Sequence, residues 1–303
     1  MKHELPANEV IKLLDKFRIY NPNLFHIFYG GEPFLRKDLS DIIKFCNEQD
    51  ILYTIISNST RELHPVIFDV MEKAGGFRGY SASIDPTVLM EPTSKISQLK
   101  SGAGFGFLLK MKKYVDDVVA EVTMTKYNMR YTYNLIRMLS GVGIYSSLTA
   151  IDINKNFMYD FSAYSADSKL IKHSPSLNKL YDKLMSNDNL LIHMKEEILP
   201  TLFKHIDSTY DCELEKSVHN ITIDSNGSLR TCLRIGGGMT IHSINYKTLF
   251  KSGELNKNRL ESWLQKRISM EKRAYCKGCN HTCMMMSKYI DDNENEANKI
   301  ISH

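Results

Sequence analysis

Cysteine is nearly absent from the first two thirds of this chain: of its six cysteines, only Cys46 precedes Cys212. A secreted disulfide framework spreads cysteines through a small chain, so this distribution excludes one. Long apolar runs are absent as well, and no stretch approaches the length of a membrane span. Met1–Pro6 is not followed by an apolar signal core, which argues against secretion and for a cytoplasmic protein. Charge of one sign is scarce too: 39 Lys and Arg stand against 35 Asp and Glu, a formal net charge of +4. Neither nucleic acid nor a membrane surface is indicated as a partner. No internal repeat is visible. With 43% hydrophobic and 24% charged residues over 303 positions, the composition is that of a folded chain with core enough for one large domain or two ordinary ones.

What is present is an alternation. Short apolar, β-branched or aromatic runs at Leu24–Tyr29, Leu52–Ser57, Gly79–Ile84, Val118–Thr125 and Tyr145–Ile151 read as parallel strands covered on both faces. Amphipathic stretches separate them, at 7–18, Asp38–Glu48, Pro65–Lys73, around Phe105–Lys113 and at Tyr131–Leu139. The alternation predicts an α/β domain over residues 1–155. It opens on a helix with no strand before it, although a crossover helix ordinarily joins two strands. Residues 156–210 read as a connector with helices at Leu177–Met185 and Leu190–Phe203, and Cys46 reads as a buried core thiol. A β-hairpin is expected where His219–Asp224, Asn226-Gly227 and Leu229–Leu233 follow one another. Residues 211–290 hold the other cysteines, and 291–303 form an acidic tail.

Phe28-Tyr29-Gly30-Gly31-Glu32-Pro33 follows the first strand directly. Two glycines let backbone approach a ligand closely, and a turn at the carboxyl end of a parallel strand is where α/β folds bind ligands. This segment, continuing as Phe34-Leu35-Arg36-Lys37-Asp38-Leu39, closely resembles the Gly-Gly-Glu-Pro segment of radical S-adenosylmethionine (radical SAM) enzymes. Ile56-Ser57-Asn58-Ser59, Ser81-Ala82-Ser83-Ile84-Asp85 and Val119–Thr125 with Lys126-Tyr127-Asn128 match later strands of that family in order. The resemblance implies a partial (β/α)6 barrel that binds S-adenosylmethionine. Gly30, Gly31 and Glu32 would hold the methionine amino group, and Ser83 would contact the ribose. Lys95 stands where relatives carry an Arg on the cofactor carboxylate, with the charge but not the fork geometry. Leu148 would pack near the adenine, or serve as plain core.

The family's defining Cys-x-x-x-Cys-x-x-Cys, which holds the radical-generating [4Fe-4S] cluster, has no counterpart, since no cysteine precedes Cys46. The strand that should precede it is missing together with it. Decay of the triad alone would leave that strand behind, so the expectation is a truncated form, with a natural pseudoenzyme as the other reading. The strand at 24–29 would then be a sheet edge.

Farther on, Cys212-x14-Gly227-x4-Cys232 is followed by Cys276-x2-Cys279-x3-Cys283. Two separated cysteines and a Cys-x-x-Cys knuckle suffice for a tetrahedral metal or a cubane, and spacing alone leaves zinc and iron–sulfur both open. Here too the chain is similar to radical SAM enzymes, those with a SPASM or twitch region. The likeness implies one auxiliary [4Fe-4S] cluster on Cys212, Cys232, Cys276 and Cys279, with Cys283 spare or replacing one of them. The implied activity is radical SAM oxidoreductase chemistry on a peptide or small molecule, with a one-electron reductant such as a flavodoxin or ferredoxin. The alternative is a non-catalytic scaffold with one structural zinc or iron–sulfur site.

Overall fold

The computed structural model describes residues 4–29, 32–58, 76–86, 104–150, 171–204 and 206, with shorter stretches at 222–223, 226–230, 245–251, 254–256, 258–260 and 262–263. Its main element is a parallel sheet of β1 (His26–Phe28), β2 (Tyr53–Ser57), β3 (Phe77–Ser83), β4 (Asp117–Met124) and β5 (Tyr145–Ala150), ordered β1-β2-β3-β4-β5. All five strands coincide with the five apolar runs. The helices are α1 (Ala7–Tyr20), α2 (Leu39–Glu48), α3 (residues 104–111), α4 (Met129–Gly141), α5 (Pro175–Met185) and α6 (Lys195–Lys204). The predicted helix at Pro65–Lys73 and residues 156–170 of the expected connector lie outside the described residues.

Strand order follows chain order. Right-handed crossovers then set every connecting helix on the same side of the sheet. Burial obeys this rule. Tyr53 and Ile55, Tyr80 and Ala82, and Val118, Ala120, Val122 and Met124 are buried on one face. They meet Ile43, Cys46, Leu108, Met111, Leu135, Ile136 and Leu139 of the helices as the core. Thr54, Ile56, Ser81 and Glu121 are only half-buried on the other face, and Ser83 and Thr123 are exposed. Among the described residues, the expectation of strands covered on both faces therefore holds for one face only: the other is half-buried to exposed, with Val119 its buried exception. Register fixes the partition. Ile56 pairs with Ser81, Ser81 with Val119, and Ser83 with Glu121.

Rings stack across strands on the covered face. Tyr53 lies 5.7 Å from Phe28 and 5.3 Å from Phe77, and its hydroxyl donates to Asn47 Oδ1 of α2 at 3.0 Å. Cys46 is fully buried, as expected, and burial pushes its thiol up to about 12. β3 starts with a shift of register between Tyr53 and Thr54. Gly76 precedes it and accepts from Tyr53 N at 2.9 Å.

β1 pairs with β2 alone among the described residues, so it is the sheet edge there. Its His26 aligns with Tyr53, and burial pushes the imidazole down to about 4. The unfolded chain takes up a proton near pH 6.5 that the fold refuses until about pH 4, so stability falls as pH drops through that window, by up to about 3 kcal/mol. Asp117 and Glu121, both raised by burial, tilt stability the other way. We expect urea denaturation of His26→Gln to lose the acid-side slope that remains in wild type between pH 7 and 4. Equal slopes in the two proteins would remove His26 as its source.

At the other edge, helix was expected from Leu190, yet α6 begins only at Lys195. The residues before it give their backbone to β5: Ser146 N donates to Leu191 O and His193 N to Ser146 O, both at 2.9 Å. A bridge so formed between Ser146 and Ile192 is parallel. Residues 6–149 and 176–193 thus make one compact unit. In the second unit, β6 (Thr222–Ile223) and β7 (Leu229–Arg230) form the expected antiparallel hairpin. Gly227 in its turn takes φ +83, a region that favours glycine. A further hairpin joins β8 (Phe250–Lys251) and β9 (Glu254–Leu255).

Candidate ligand site on the open face of the sheet

The carboxyl ends of β1 and β2 are tied together by one carboxylate. Glu32 Oε1 accepts from Ser57 Oγ at 2.7 Å and from Phe34 N at 3.2 Å, while Oε2 accepts from Asn58 N at 2.8 Å. Pro33 starts the short 3-10 turn Pro33–Leu35, which keeps Phe34 N within reach of this carboxylate. Asp38, a few residues on, accepts from Ala7 N at 3.0 Å and pairs with Arg36 at 2.7 Å. The turn after β1 is thereby anchored to the start of α1 as well.

A second tie joins β3 and β4. Asn128 is buried, and its Oδ1 accepts from Thr125 N at 2.7 Å. Its Nδ2 donates to Thr123 O at 3.0 Å and to Asp85 Oδ1 at 3.1 Å. An Asn suits this place because one amide supplies acceptor and donors together. Both ties sit where strands end and ligands bind in α/β folds.

Between the ties lies the open face. Ser81, Ser83, Ser147 and Thr149 occupy it with small hydroxyl side chains that fill little volume. Glu121 sits among them with Ser147 hydrogen-bonded to it, and burial raises its carboxyl above the ordinary range, an effect Ser147 partly offsets. At the amino end of β4, Asp117 is raised in the same way, with His193 nearby pulling it back. Small hydroxyl side chains, with Ile56 and Val119 among them, set this face apart from the covered one, and the two ties stand at its rim.

The expected site residues divide. Glu32 is present at the rim with its side chain committed to β2. Ser83 is exposed on the open face, and its hydroxyl makes no hydrogen bond among the described residues. Leu148 is buried, at 2% exposure, between Ser147 and Thr149, which are half-buried. Ser147 reaches Glu121, so Leu148 falls on the covered face. Gly30, Gly31, Lys95, Cys212, Cys232, Cys276, Cys279 and Cys283 lie outside the described residues. Among the described residues no group of His, Cys, Asp or Glu could hold a metal ion, and no helix among them is long and apolar enough to cross a membrane. Sequence reasoning missed Asn128 as a tie and Glu121 altogether. The signal for Glu121 was a carboxylate inside Val118-Val119-Ala120-Glu121-Val122, where an apolar strand tolerates one only at some cost.

No protein-family model and no curated protein matches the sequence. Solved structures do. The fold is shared. SuiB from Streptococcus suis, bound to S-adenosylmethionine, superposes with a TM-score of 0.57 at 18% identity, over 89% of this chain and 61% of SuiB. SuiB bound to the precursor peptide SuiA gives 0.57 at 18%, over 93% of this chain and 64% of SuiB. Native anSMEcpe with bound AdoMet gives 0.54 at 14%, over 98% of this chain and 89% of that one. The chain thus spans less than two thirds of the length of SuiB.

Proposed function

We propose that this chain is a radical SAM protein that binds S-adenosylmethionine at the carboxyl ends of β1–β4 and acts on a peptide. The open polar face, tied at its rim by Glu32 and Asn128, carries the reading. It lies on a fold shared with proteins solved with S-adenosylmethionine and with peptide bound. The residues fit such a cofactor: the Ser83 hydroxyl makes no hydrogen bond among the described residues, and Glu32 joins the segment after β1 to the end of β2. In the family a [4Fe-4S] cluster on a Cys-x-x-x-Cys-x-x-Cys supplies the electron that cleaves S-adenosylmethionine; these 303 residues contain no such triad, so what is assigned to them is binding and positioning. This chain's part is to orient the nucleoside on the open face and to keep the peptide against it.

The cysteines at 212, 232, 276, 279 and 283 then make the twitch-like domain with one auxiliary [4Fe-4S] cluster. A small one-electron reductant is the partner this chemistry requires, and the cytoplasm is the compartment it suits. Two measurements test the reading. Titration of the chain with S-adenosylmethionine should show micromolar binding, and no binding would overturn it. Anaerobic reconstitution should load about four irons and four sulfides per chain, lost in Cys276→Ala. Stoichiometric zinc without iron or sulfide would leave a scaffold with one structural metal.

A further inference from the structure

Glu121 is an acid in the wrong place for a structural residue. Every other side chain from Val118 to Val122 is apolar, and the four are buried. Glu121 faces the open side, half-buried, with Ser147 as its hydrogen-bonding neighbour. Among the described residues it has no ion pair. One hydroxyl leaves most of a carboxylate's acceptor capacity unused.

Its position is specific. Glu121 is the register partner of Ser83, and Ile84 N donates to Glu121 O at 3.0 Å. The two side chains therefore leave the sheet side by side at one height, about 4.8 Å apart across the strands. Ser81 and the buried Val119 stand below them, Thr123 stands above Glu121, and beyond Glu121 stand Ser147 and Thr149, none of which carries a positive charge. Such a row accepts hydrogen bonds from hydroxyl groups and offers nothing to an anion.

We propose that Glu121, oriented by Ser147, is a second seat for the ribose hydroxyls of the bound nucleoside, across from Ser83. This rests on the S-adenosylmethionine reading above. A carboxylate accepting from a hydroxyl makes a short, charge-assisted bond that is strengthened where water is excluded. Leu148, one residue past Ser147, has no part in it.

The test pairs a side-chain deletion with a ligand deletion. S-adenosylmethionine and its 2′-deoxy and 3′-deoxy forms are titrated by calorimetry into wild type, Glu121→Ala and Glu121→Gln, each first checked for folding by thermal melting. In wild type, loss of one of the two hydroxyls should weaken binding about five- to tenfold. In Glu121→Ala the same loss should cost less than about twofold, as a double-mutant cycle requires of interacting groups. If Glu121→Ala does not fold, the isosteric Glu121→Gln carries the comparison, with the hydroxyl effect at least halved. An equal hydroxyl effect with and without the carboxylate overturns the proposal while leaving S-adenosylmethionine binding intact. Wild type that fails to bind S-adenosylmethionine at all overturns the functional reading, and this proposal with it.

Discussion

Glu32→Gln should destabilise the sheet unit by about 1–2 kcal/mol although glutamine is the isostere of glutamate. The reason lies in the donors. Phe34 N and Asn58 N are backbone groups that can only donate, and they approach different carboxylate oxygens. Ser57 Oγ can turn and accept, but neither amide can. Whichever way the glutamine amide is placed, its NH2 meets one of those two N–H groups. Glu32→Ala removes all three acceptor contacts and should cost about 2–4 kcal/mol. If the proposed function holds, both variants should also weaken S-adenosylmethionine binding, because the segment that starts at Glu32 loses its tie to the end of β2. Urea denaturation decides the matter: a glutamine variant within about 0.5 kcal/mol of wild type would show that the carboxylate does not act as the tie described.

Gly76→Ala should be costlier still. A Cβ at Gly76 would run into the backbone carbonyl of Ile51. Neither partner is a flexible side-chain end. Relief requires moving the strand entry where Tyr53 N donates to Gly76 O at 2.9 Å and where the β2–β3 register already shifts. That shift is what brings Thr54 against Gly79 and lines up Ile56 with Ser81. We expect a loss of about 3–5 kcal/mol, in the range of overpacking and backbone strain combined. A cleavage-resistant, wild-type-like urea transition in Gly76→Ala would disprove the close approach as a constraint.

The five strands were legible because their runs are short, apolar and bounded by helix-length amphipathic stretches. The open face was not. In a run such as Tyr53-Thr54-Ile55-Ile56-Ser57 alternation puts Thr54 and Ile56 on one side, but the run does not say which side the helices cover. Helix order decides which side is bare, and that is a property of the topology. The same gap hides that Leu148 and its neighbour Ser147 face opposite ways relative to the helices: which of the two is buried needs the sheet. Glu32 was marked in the sequence by the glycines and proline around it. Its partners were not, since Ser57 and Asn58 lie 25 and 26 residues away. Helix periodicity ran on through Leu190–Met194, where the backbone instead serves β5.

The one-sided covering of the sheet has a consequence for how changes in this chain will be read by selection. Adjacent positions answer to different demands. A substitution at Ala82, Ala120 or Leu148 acts on the buried core, whereas one at Ser83, Glu121 or Ser147 falls on a half-buried or exposed position where side-chain volume is less constrained. Along each strand the two demands alternate residue by residue. Positions on the less buried face can therefore exchange side chains with less need of a matching change in the core.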